Sequence, residues 1–235
     1  MKKNHKIVSE TFSSIDWNNN IKEIVSDDDV CLKIYDSIKK YSDLCNELKE
    51  SDESDFSHCF LNEMHFSAQN ACILLALGLY KPAASSMRTA LESCLYYTYF
   101  RTHPSELYTL STSDKYFISK KEIIDHHKIH TPFFGSKQSL LNLSDKLDKW
   151  YSYTSRIIHG QIPKEWNTYS SIKNIEHDNT VLEQCLDKLQ ESQILCYHLI
   201  LCTTDIEVWD AMSEHMKKNL LAGISLDKKK TLIPQ

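Results

Sequence analysis

The stretch SRIIHG, residues 155–160, sets an arginine and a histidine three positions apart, beside a serine and just ahead of one of the chain's 4 glycines. These residue types can handle a phosphodiester without a metal. An imidazole takes or gives a proton near neutral pH. A guanidinium stabilises charge developing on a pentacovalent phosphate, and a hydroxyl donates to a phosphate oxygen. On a wheel of about 100° per residue, Leu147, Trp150, Thr154, Ile157 and Ile158 form an apolar side. Ser152, Ser155, Arg156 and His159 fall on the opposite arc. The plainer account of that arc is a solvated face whose terminal histidine complements the helix dipole.

A second candidate lies upstream. The chain has only three arginines, Arg88, Arg101 and Arg156, and the guanidinium fork suits phosphate and carboxylate. On the helix that carries SMRTALESCLYYTYF (86–100), Ala84, Met87, Leu91, Cys94 and Thr98 share one arc, with Arg88 at its shoulder. Glu92 stands one turn beyond Arg88. The pair is either an intrahelical ion pair at the core margin or an oriented arginine facing a neighbouring helix.

Two further clusters have a sharp and a plain reading. DHHKIH (125–130) places His126 and His130 on one helical face, a spacing that can hold zinc. It lacks the glutamate of the HExxH pattern, and a polar helix end accounts for it more simply. The tyrosines of YYTY (96–99) and YSY (151–153), Tyr151 among them, could stack on bases. Aromatics of this kind more often pack in cores with a polar tip satisfied.

The elements that must carry these residues are helical. Gly and Pro number only 4 and 5 in 235 residues. Sheet proteins spend those residues on turns, so their scarcity argues for long helices and few connections. Apolar periodicity predicts helices over about 30–49, 56–80, 82–102, 119–129, 137–159 and 181–221, the last as one helix or two. Asp28 or Asp29 is the expected cap of the first. Gly160 is the expected residue after the 137–159 helix, with Pro163 beyond. The fold class expected is all-α, a single helical bundle of five to seven helices over 29–222. Residues 1–28 read as an irregular N-terminal arm and 223–235 as a flexible basic tail.

The formal net charge of −5 gives no global field favouring nucleic acid. RNA contact would need a local patch or a cleft between copies. The 8 cysteines form no CxxC pair, and MKKNHKIVSE has no apolar core of a leader. The expectation is a cytoplasmic chain with reduced thiols, no membrane segment, no cofactor and no metal site.

SMRTALESCLYYTYF followed by WYSYTSRIIHG (150–160) resembles the paired helical signature of the HEPN superfamily. It is most similar to compact bacterial members associated with defence and toxin systems, over roughly residues 56–160. The resemblance implies an α-helical bundle, frequent homodimerisation with polar helix ends facing each other, and in many members metal-independent ribonuclease activity. It implies His159 as the acid/base, with Arg156 and Arg88 stabilising phosphate and Glu92 orienting Arg88. Ser155, Ser152 and Tyr151 are the expected substrate contacts. The sequence departs from the family pattern at one point: only two residues separate Arg156 from His159, a shorter spacing than active members carry. Arg88 is the expected substitute cation.

Two functions follow from this reading. The first is a HEPN-like ribonuclease or toxin-type effector in anti-phage defence, acting on RNA and restrained by a cognate inhibitor or sensor protein. The second is a non-catalytic interaction subunit whose helix ends bind a partner protein or a nucleotide.

Overall fold

The computed structural model describes the backbone of residues 2–234, and among them there is no strand. The helices are α1 (Lys2–Ser13), α2 (Trp17–Val25), α3 (Asp28–Ser51), α4 (His58–Ala76), α5 (Tyr80–Phe100), α6 (Pro104–Thr112), α7 (Lys120–His130), α8 (Phe134–Leu141), α9 (Leu143–Ile158), α10 (Asn179–Thr203), α11 (Ile206–Ala211), α12 (Glu214–Leu220) and α13 (Leu226–Leu232). The fold is all-α, as expected, but the described residues hold more helical segments than a bundle of five to seven. No helix among them is long and apolar enough to cross a membrane.

The long helices α3, α4, α5, α9 and α10 make the bundle, with α5 at its centre against α4, α10, α9 and α7. The α5 wheel explains that position. Ala84, Met87, Leu91, Cys94 and Thr98 are all buried, and so are Leu95 and Tyr97 behind them. A helix buried around so much of its circumference must be enclosed by others. All 8 cysteines are free thiols, and six of them are buried.

The extra segments come from breaks that apolar periodicity passes over. The expected 137–159 helix is two helices, because Asn142 adopts φ 51°, a left-handed conformation that ends α8. Asparagine tolerates that region better than most residues. The expected 181–221 helix is three. Asp205 caps α11 by accepting from the Val208 amide, and Ser213 caps α12 by accepting from that of Met216.

The N-terminal arm is helical rather than irregular. Its polar NNN run looks like a loop, yet Asn20 is only 2% exposed. It donates from Nδ2 to the carbonyls of Leu77 and Ile175, and Ile24 beside it joins the core. Asp27, one residue before the expected cap, accepts from the amides of Asp29 and Val30 and starts α3. The basic tail is likewise not loose over its described part. α13 buries Leu232, and Lys228 Nζ donates to the Leu140 carbonyl at 3.1 Å. Met1 and Gln235 lie outside the described residues.

Candidate active site between α5 and α9

The C-terminus of α9 is built by its own sequence. His159 is the cap residue, and Gly160 follows at φ 66°. The Gly160 amide donates to the Ile157 carbonyl at 3.1 Å and the Gln161 amide to that of Arg156 at 2.8 Å. That is the Schellman pattern, which needs a residue free to adopt positive φ. It holds His159 at the last helical position, with Ser155 one turn below it.

The faces of α9 match the wheel. Leu147, Trp150, Thr154 and Ile157 are buried and Ile158 is half-buried. Ser152, Arg156 and His159 are exposed and Ser155 is half-buried. Ser155 is half-buried because α5 reaches it. Arg88 Nη1 donates to Ser155 Oγ at 2.7 Å, while its Nε donates to Glu92 Oε1 at 2.8 Å. Both alternatives for Arg88 therefore hold together. It forms the intrahelical ion pair, and that pair aims the guanidinium at α9.

Tyr151 lies under the same guanidinium, whose central carbon is 5.4 Å from the ring centroid. Lys120, from the first turn of α7, stands 4.7 Å from the same ring. A small cleft of about 240 Å³ opens among Arg88, Glu92, Ser119, Lys120 and Tyr151. The Tyr151 hydroxyl is buried there and has no hydrogen-bond partner among the described residues. Burial pushes its pKa well up, and the Glu92 carboxylate adds to the shift, so the phenol keeps its proton. A buried hydroxyl without a partner is costly.

The structure thus brings Arg88, Glu92, Ser155 and Tyr151 together and sets His159 one helical turn beyond them. Arg156 and Ser152 point to solvent and make no side-chain hydrogen bond among the described residues, and neither does His159. Lys81, on the first turn of α5, adds a further cation at that helix end. Its Nζ would lie 3.7 Å from a Cβ placed on Gly160.

Lys81 and Lys120 are contributors that sequence reasoning missed. The capping box Ser119–Glu122 fixes where α7 begins. It does not say which side chain of the first turn meets Tyr151.

The other clusters resolve to packing. His126 and His130 do share a face of α7, with ring centroids 4.7 Å apart. His126 packs edge-on against Tyr99 and His103. Among the described residues no group of three His, Cys, Asp or Glu side chains is arranged to hold a metal ion. His127 between them is buried, bonded to Thr98 and Thr131, and burial pushes it down to about 3. Of the YYTY tyrosines, Tyr97 and Tyr99 are core residues, while Tyr96 is half-buried at the edge of the cleft. Tyr97 donates to Asp52 at 2.6 Å and Tyr99 to Glu106 at 2.7 Å. Arg101, its side chain 11% exposed, pairs with Asp52 and Asp205 and holds structure rather than a ligand.

Compared with protein-family models, curated proteins and solved structures, the chain matches none.

Proposed function

We propose that the chain is a HEPN-like, metal-independent ribonuclease acting as a toxin-type effector in bacterial anti-phage defence. The observation that carries this reading is the 2.7 Å bond from Arg88 to Ser155. It joins, across 67 residues, the two helices whose sequences carry the resemblance, and it holds the Arg88 guanidinium on Ser155, one helical turn before His159 in the sequence.

In this reading the substrate supplies its own nucleophile. The RNA 2′-hydroxyl attacks the adjacent phosphorus as His159 takes its proton. Arg88, Arg156 and Lys81 stabilise the pentacovalent phosphate. The bond from phosphorus to the 5′ oxygen then breaks, and that oxygen takes up the proton that His159 now carries. Ser155 and the Tyr151 hydroxyl hold phosphate oxygens, Ser152 contacts the strand, and Glu92 keeps Arg88 aimed. A homodimer with the α9 ends facing each other would place a second set of cations on the same strand. Such an enzyme requires a cognate inhibitor or sensor protein.

The product ends test the chemistry. A defined RNA cut by this route carries a 2′,3′-cyclic phosphate and a 5′-hydroxyl. A 3′-hydroxyl with a 5′-phosphate would come from attack by water and rules the route out.

A second reading has its own support. Glu92 compensates the Arg88 charge, and the exposed His159 has no partner to fix its ring. A non-catalytic subunit that binds a partner protein or nucleotide through these helix ends needs neither a free cation nor an oriented base. A stable complex with no RNA cleavage favours it.

A further inference from the structure

Away from that site, two clefts open on either side of the turn at 222–225. Both are lined by His198, Ile194, Ala222 and Gly223. One, of about 340 Å³, lies among α3, α10 and α12 and adds Lys40, Gln193 and Asn219. The other, of about 510 Å³, lies among α9, α10 and α13 and adds Leu140, Lys146, Ile224 and Lys228. Both volumes suit a small molecule.

Three independent features point to what would bind. No carboxylate lines either cleft, although the chain has 32 Asp and Glu residues. Lys40, Lys146 and Lys228 make no ion pair among the described residues, whereas their neighbours Lys39 and Lys149 pair with Asp43 and Asp145. His198, shared by both clefts, is 8% exposed, and its Nδ1 has no hydrogen-bond partner among the described residues. Burial, with Lys146 adding to it, holds this imidazole down at about 4, so the ring is neutral and offers one N–H donor.

We propose that the larger of these two clefts, between α9, α10 and α13, binds an organic anion with an apolar body, its charged head between Lys146 and Lys228 and its tail along Ile194, Leu140 and Ile224. A carboxylate and a phosphate monoester share the required chemistry. The head group meets two ammonium groups that pair with no carboxylate among the described residues, beside the neutral His198 ring. The site is separate from Arg88 and His159 and stands whether or not the chain cleaves RNA.

Calorimetric titration of the full chain with octanoate, octyl phosphate, octylammonium and inorganic phosphate tests this. At least one octyl anion binds, one per chain, and the two anion arms say which head group is preferred. Octylammonium and inorganic phosphate bind at least about tenfold more weakly. The Lys146→Gln/Lys228→Gln double variant, with both changes on the surface, loses at least about tenfold in anion affinity. The His198 ring nitrogen signals shift with the octyl anion and not with octylammonium. Equal binding of octylammonium, no binding of either octyl anion, or unchanged affinity in the double variant would overturn the proposal.

Discussion

A single hydrogen bond, from Arg88 to Ser155, turns two unremarkable helix faces into one candidate site. The wheel placed each residue on its arc but could not bring the arcs together, because periodicity describes one helix at a time. His127 shows the opposite failure. It drew notice only as part of a histidine-rich run, and its role is in the core, bonded to Thr98. That role has a pH signature. His127, held at about 3, and His198, held at about 4, are both neutral when folded, against about 6.5 unfolded. The unfolded chain takes up these protons first. Stability is therefore full above about pH 6.5 and is lost as pH falls below it, by up to roughly 1.4 kcal/mol per pH unit for each histidine. Urea midpoints at pH 7, 6 and 5 should fall in order, and His127→Gln should flatten the slope. A midpoint independent of pH over that window contradicts the account.

At the scale of elements, the helix ends decide where the chemistry sits. Gly160 was legible as the residue closing α9, because a glycine followed by a proline three positions on is a strong stop signal. Asn142 was not, since the apolar pattern runs on through it and only its positive φ breaks the helix. Gly160→Ala tests how far the α9 end depends on its closing turn. A Cβ there meets nothing closer than Lys81 Nζ at 3.7 Å, so the cost comes from the left-handed backbone, about 1–2 kcal/mol. Chemical denaturation should show that loss, with His159 displaced as the last turn frays. A variant as stable as the parent would mean that the Schellman turn does not hold the end of α9.

Across the whole molecule, the five long helices and the short α7 were legible, and the remaining short helices were not. Scarce glycine and proline and clear apolar stripes foretold α3, α4, α5, α9 and α10. The N-terminal helices depend on Asn20, whose burial depends on carbonyls at Leu77 and Ile175 that no local pattern reveals. A second long-range tie binds the α3 end to α5 and to the start of α11. Asp52, buried among Tyr97, Arg101 and Ser54, loses solvation, but hydrogen bonds from Tyr97 and Ser54 and the Arg101 charge outweigh that and hold its carboxyl low. Asp52→Ala leaves the Tyr97 hydroxyl and Arg101 Nε without their acceptor, Arg101 keeping only its pair with Asp205, and should cost about 1–3 kcal/mol. Thermal unfolding measures it, and a loss below about 1 kcal/mol would mean the pair behaves as a surface one.

The central claim is that the α5–α9 site cleaves RNA without metal. The most direct measurement is incubation of a mixed RNA pool with the purified chain in EDTA, beside His159→Ala. The account predicts cleavage by the parent, with a loss of about 10²-fold or more in the variant. Equal cleavage by both, or none by the parent, would contradict it.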